Sequence, residues 1–160
     1  VDFYPRSKIL AEQAAWDFVK NNGGHKFALT TVNPSFIVGP PLIDEQGSSV
    51  MIIRRFLNND MPGVPSMTIP CVDVRDVARC QVEAMRRSIS DNERIIATAM
   101  PSLWMKDISK ILNNEFKSQG YTIPSMGLPD FAVWMVSFFD ADANLIVDKL
   151  SKEIKFDNSK

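Results

Sequence analysis

The chain has no glycine-rich turn. Its seven glycines, Gly23, Gly24, Gly39, Gly47, Gly63, Gly120 and Gly127, fall at no spacing that could cradle a pyrophosphate between a strand and a helix. Metal donors are scarce too. There is one histidine, His25, and two cysteines, Cys71 and Cys80, with no CxxC pair and no Cys/His cluster. That scarcity argues against a metal site, and His25, beside Gly23-Gly24, reads as a surface-turn residue. The thiols read as small buried hydrophobes in a reduced, cytoplasmic protein rather than as a disulfide framework. No basic run interleaves with aromatics, and the net charge is only −1, so no nucleic-acid partner is expected. The longest apolar stretch, residues 131–139, is interrupted by Ser137 and followed by Asp140. It is too short to span a bilayer, and no membrane partner is expected. Signal-peptide character is absent, and the opening Val1-Asp2-Phe3-Tyr4 reads like the middle of a longer sequence.

What remains is an ordinary soluble composition, 45% hydrophobic and 23% charged over 160 residues, enough for one domain or a large piece of one. Pro5 suits the first turn of a helix that runs to about Asn21 and is stopped by Asn22-Gly23-Gly24. Ala11, Ala15 and Phe18 form its expected packing face. Residues 27–32 read as a buried strand continued through Asn33-Pro34 into residues 36–38, with Gly39-Pro40-Pro41 as the stop. Ser48 or Ser49 is placed to cap a helix over residues 51–57. Three prolines make 61–70 a loop with short extended pieces, and 68–72 reads as a strand. Asp73 or Asp76 opens the next helix, with Val77, Ala78, Val82 and Met85 expected inward. A strand at 94–98 follows. Ser102 then caps a helix carrying Ile108, Ile111, Leu112 and Phe116 on one side. Pro124, Gly127 and Pro129 mark a linker to an apolar helix at 131–139, a more polar one to Leu150, and a half-exposed strand at 153–157. Alternating strands and helices predict an α/β fold.

Tyr4 and Lys8 stand four apart on the first helix and so share a face. A phenol is a weak acid or base near neutrality, since its free pKa is about 10. A nearby ammonium favours the phenolate and brings the group into working range. Such a pair can protonate a carbonyl oxygen as hydride arrives, or take a proton from an alcohol in reverse. The spacing alone is weak, and its plain alternative is an exposed helix start with a solvated lysine.

Context strengthens it. Tyr4-Pro5-Arg6-Ser7-Lys8-Ile9-Leu10-Ala11-Glu12-Gln13-Ala14-Ala15-Trp16 resembles the active-site helix of the extended short-chain dehydrogenase/reductase family. It is most similar to the branch of dihydroflavonol, cinnamoyl-CoA and yeast-type aldehyde/ketone reductases. Three more segments match in order: Val32-Asn33-Pro34-Ser35-Phe36-Ile37-Val38-Gly39-Pro40, Cys71-Val72-Asp73-Val74-Arg75-Asp76-Val77-Ala78, and Lys155-Phe156-Asp157-Asn158-Ser159-Lys160. The resemblance implies the C-terminal portion of a Rossmann-type fold with a small substrate-binding subdomain. Residues 1–40 and 66–100 would be the remainder of the nucleotide fold, and 41–65 and 101–160 mainly the substrate part.

It also implies roles. Tyr4 would be the general acid/base and Lys8 the residue that lowers its pKa and holds the nicotinamide ribose. Pro34, Ser35, Phe36 and Ile37 would line the nicotinamide, with Ser49 as a further cofactor contact. The cofactor would be NADP(H) in preference to NAD(H), and the partner a small carbonyl compound. Val50 and Met51, with Ile52, would wall its pocket. For Pro34 the plain alternative is a strand bulge, and for Val50, Met51 and Ile52 it is ordinary core. Asp73 and Asp76 read as helix caps. The family's glycine loop and its upstream catalytic Ser or Thr have no counterpart here, so the expectation is a fragment of an NAD(P)H-dependent ketone or aldehyde reductase, inactive by itself. A non-catalytic interaction module and a sugar-nucleotide epimerase relative are the competing readings.

Overall fold

A computed structural model of the chain describes residues 3–22, 27–43, 47–139 and 141–159. Helix α1 (Phe3–Asn21) leads to β1 (Thr31–Pro34) and β2 (Phe36–Val38). Then come α2 (Ser48–Leu57), the short strands β3 (Val64–Pro65), β4 (Thr68–Ile69) and β5 (Cys71–Asp73), and α3 (Val74–Arg86). The chain continues with β6 (Arg94–Ala97), β7 (Leu103–Trp104), α4 (Met105–Phe116), β8 (Gly127–Leu128), α5 (Asp130–Val136) and α6 (Ala141–Ile146). The result is the expected α/β alternation.

Two parallel pairings organise one side. β1 runs beside β6, with Thr31 opposite Arg94 and Pro34 opposite Ala97. β2 runs beside β5, with Phe36 opposite Cys71 and Val38 opposite Asp73. The chain therefore changes partner between Pro34 and Phe36. The Ser35 N–H donates to the Ala97 carbonyl at 3.0 Å, and the next N–H, of Phe36, donates to the Pro70 carbonyl at 3.0 Å. Proline at the changeover has no N–H to leave unpaired. A second proline acts alike: Pro70 divides the expected 68–72 strand into β4, antiparallel to β7, and β5, parallel to β2.

A hydrophobic cluster forms where Phe56 (0% exposed) meets Val64, Met67, Ile69, Met105, Ile108 and Ile123. Phe36, Ile52, Cys71 and Leu112 pack against it. Gly39 ends β2 with φ 131°, where a Cβ would lie 2.9 Å from Val74 Cγ1, so the stop and the start of α3 touch through the missing side chain.

Several expectations need correction. β1 begins at Thr31 rather than Phe27, because its partner strand starts at Arg94. Phe27 is exposed, and Thr30 instead donates its hydroxyl to the Ser90 carbonyl at 2.6 Å. The side of α1 turned inward is Glu12, Ala15, Trp16 and Val19, leaving Ala11 and Phe18 exposed. Gly47, not a serine side chain, stands at the start of α2. In α3 only Val77 is buried, while Ala78, Val82 and Met85 face outward. Ser102 does not cap α4; its hydroxyl donates to the Ile154 carbonyl at 2.6 Å. Ile111 lies on the outer side of α4. In α5 only Val133 is buried. The 153–157 strand is absent. The Ile154 N–H donates to Thr68 Oγ1 at 2.8 Å, and that hydroxyl donates to the Lys152 carbonyl at 3.2 Å, so side chains take the place of a ladder. Asp73 does cap α3, accepting the Arg75 N–H at 2.8 Å. The readings for His25 and for Gly23-Gly24 lie outside the described residues.

Thr68 is 1% exposed, and Thr68→Val would strand the Lys152 carbonyl and Ile154 N–H at once. A loss of about 1–3 kcal/mol is expected by denaturant unfolding, with Thr68→Ser recovering most of it. The Asp73 carboxyl is held down to about 2 by its side-chain and backbone hydrogen bonds with Arg75. Its contribution is present above the ordinary carboxylate value and lost as pH falls through the folded one. Asp73→Ala should therefore lower the unfolding midpoint at pH 6, and the difference should shrink as pH falls from about 4 through about 2.

Candidate active site

Tyr4 and Lys8 occupy the first turns of α1, with the Lys8 ammonium over the Tyr4 ring, 5.4 Å from its centroid. Proline next to Tyr4 suits this end of the helix, and the Ser7 hydroxyl donates to the Tyr4 carbonyl at 2.8 Å. Both side chains are exposed, Tyr4 to 70%.

Glu12 continues the same stripe one turn on, and it is where α1 is fastened. Its carboxylate accepts from Arg94 Nε at 2.8 Å, from Thr31 Oγ1 at 3.1 Å and from Trp16 Nε1 at 3.4 Å. Partial burial pushes the carboxyl up, but the Arg94, Trp16 and Thr31 bonds together outweigh it and hold the group below its ordinary value. α1 has no buried residue, so this polar junction carries much of the attachment to the first residues of β1 and β6. The sequence pattern does not single out Glu12. Its one signal is the i, i+4 step from Lys8.

Pro34 closes β1 and is exposed, while Ser35, Phe36 and Ile37 are half-buried along the changeover and β2. Two polar atoms there are buried without a hydrogen-bond partner, Asn33 Nδ2 and Ser35 Oγ. Ser49 and Val50 are half-buried in the first turn of α2, and Met51 is 40% exposed. Ile52 and Phe36 pack on the same cluster, which brings α2 against β2. Thus the changeover and α2 adjoin each other. Among the described residues, no hydrogen bond joins Tyr4 or Lys8 to residues 34–37 or 49–51. Cys71 is half-buried opposite Phe36, its thiol pushed up by that burial.

No protein-family model matches the chain. A putative uncharacterized oxidoreductase of Saccharomyces cerevisiae, YDR541C, is 36% identical over 136 residues, 81% of this chain and 39% of that protein. The NADPH-dependent methylglyoxal reductase GRE2 of the same yeast is 30% identical over 131 residues, 78% of this chain and 38% of its own length. The crystal structure of Gre2 from Candida albicans superposes with a TM-score of 0.68 at 32% identity, over 92% of this chain and 42% of that one. The chain belongs to the extended short-chain dehydrogenase/reductase family. It is similar to Gre2-like and cinnamoyl-CoA reductases of that oxidoreductase family, and it spans about two-fifths of the length of the curated relatives it matches.

Glu12→Gln should loosen α1 by about 1 kcal/mol, the scale of one partly exposed charged pair. Limited proteolysis or amide exchange would show faster opening of residues 3–22, with β2 and β5 unchanged.

Proposed function

We propose that the protein carrying this chain reduces a ketone or aldehyde with NADPH, Tyr4 being its general acid. The observation that carries the reading is the Tyr4–Lys8–Glu12 stripe. It sets a phenol and an ammonium on one helix face and fastens that face to the strand that changes partner at Ser35. Parallel sheets bind ligands beyond the carboxyl ends of their strands, where neighbours diverge. β1 ends at such a divergence.

Bound NADPH would supply the hydride that reaches the carbonyl carbon. The displaced π pair moves to oxygen, and Tyr4 gives its phenolic proton to that oxygen. The phenolate left behind is stabilised by the Lys8 ammonium. Lys8 would also hold the nicotinamide ribose, and Pro34, Ser35, Phe36, Ile37 and Ser49 would line the nicotinamide. Buried polar atoms at Asn33 and Ser35, left unmatched among the described residues, fit a polar group arriving there. Val50 and Met51 would form an apolar wall against the substrate. NADPH is preferred to NADH because GRE2 is an NADPH-dependent reductase and C. albicans Gre2 has been crystallised with NADPH.

In this reading residues 1–40 and 66–100 serve the nucleotide and 41–65 and 101–160 mainly the substrate. The protein works in the cytoplasm, in keeping with the free thiols of Cys71 and Cys80. Without a glycine-rich turn to cradle the pyrophosphate, the chain by itself turns nothing over.

In the full-length protein, Tyr4→Phe should lower kcat with methylglyoxal by about 10²–10⁴, the range of a positioned acid, while NADPH affinity stays within about threefold. Near-normal turnover by this variant would remove Tyr4 from the mechanism.

A further inference from the structure

An ammonium stabilises a phenolate only to the extent that no nearer carboxylate has paired with it. Lys8 has such a competitor beside it. Glu12 stands four positions on, the spacing at which opposite charges pair along a helix. Among the described residues the two nevertheless form no ion pair, and the Lys8 ammonium lies over the Tyr4 ring instead.

Arg94 accounts for the difference. Its guanidinium grips both oxygens of Glu12, donating from Nε to Oε1 at 2.8 Å and from Nη2 to Oε2 at 3.4 Å. Oε1 also accepts from Thr31 and Trp16, whereas Oε2 has Arg94 alone among the described residues. Without the guanidinium, Oε2 is the atom left to find another cation. The Glu12 side chain is only 18% exposed, so water covers little of its charge. Partial burial pushes the carboxyl up, but its hydrogen bonds outweigh that and keep the group ionised near neutrality. β1 carries no charged residue, and Arg94 is the one charge on β6. Glu93, just before it, has the sign of Glu12 and alternates to the opposite face. On α1 itself, Arg6 is two positions from both Tyr4 and Lys8 and so turned off their face.

We propose that Arg94 is a positioning residue for the reductase acid: by holding Glu12 it keeps the Lys8 ammonium free for the Tyr4 phenolate. This rests on the reductase reading above and adds to it a residue, distant in sequence, that touches neither substrate nor cofactor. The second cation takes up the carboxylate, and the first is left for chemistry.

The test is the pH profile of kcat for reduction of methylglyoxal by the full-length protein with NADPH. Tyr4 gives up a proton in this direction, so the rate falls along an alkaline limb, and whatever disfavours the phenolate moves that limb to higher pH. Arg94→Met keeps the stem and removes the charge; it should raise the limb by about 0.5 pH unit, the scale of one partly exposed ion pair. Glu12→Gln also unfastens α1 but deletes the competing charge, so its limb should not rise. The double variant Arg94→Met/Glu12→Gln should return to within about 0.2 unit of wild type. A junction that only fastens the helix would give both single variants the same limb and no rescue in the double. Near-normal turnover by Tyr4→Phe, or a wild-type rate without an alkaline limb, would sink the acid of the reductase reading and this inference with it. With Tyr4→Phe inactive, an Arg94→Met limb within about 0.1 unit of wild type, or one that the double variant leaves raised, would overturn the inference alone. Arg94→Gln, which keeps donors for the carboxylate but no charge, decides the question should Arg94→Met fail to fold.

Discussion

One strand has to serve two neighbours, and most of the architecture follows from how it does so. From Thr31 to Pro34 it belongs to β6, and from Phe36 to Val38 it belongs to β5. Consecutive N–H groups at Ser35 and Phe36 point to carbonyls of different strands, with the one residue that lacks an N–H placed just before them. The changeover opens a divergence in a parallel sheet while leaving the backbone satisfied. It also sets Phe36 against the Phe56 cluster, joining the strand to α2 and α4.

The two sides of that junction are held by different forces. Around Phe56 the contacts are apolar and closed to water, and Thr68, Ser102 and Asn158 tie the last residues onto the body through side-chain hydrogen bonds. α1 is held in another way. Without a buried residue, it rests on the half-buried Ala15, Trp16 and Val19 and on the Glu12 junction with Arg94 and Thr31. The residues proposed for chemistry thus lie on a helix with no buried residue, whereas Phe36, among those proposed to line the cofactor, packs against the Phe56 cluster. This matches the general pattern in which functional elements come from the less stable parts of a fold.

Local patterns were legible in the sequence where a single residue type decides the outcome. Pro5 lies in the first turn of α1, Gly39 ends β2, Asp73 caps α3, and the order of strands and helices follows from apolar periodicity. Expectations failed where a partner distant in sequence decides. Residues 27–30 look like strand, but their would-be neighbour starts only at Arg94. Ile154 and Phe156 alternate with charged residues, yet Thr68, far away in the chain, claims the backbone. Val82 and Met85 have helical spacing with Ala78, but spacing alone does not say which face meets the sheet. The Tyr4–Lys8 stripe could be read from its spacing, and the resemblance gave it meaning. Glu12 and the unmatched Asn33 amide could not, because each is defined by what lies across from it.

The attachment of α1 makes the helix a lever. Tyr4 stands eight residues before Glu12, roughly 12 Å along the axis at the rise of an α-helix. A tilt of only about 5° about the Glu12 junction would swing the phenol by about 1 Å, a displacement that can cost roughly a hundredfold in rate when reacting atoms must be aligned. The proposed acid therefore inherits its aim from an ion pair that is itself partly open to water, with Arg94 half exposed. Rising ionic strength, which weakens such a pair at a distance from the reaction, would blur the position of the hydroxyl without touching any reacting group.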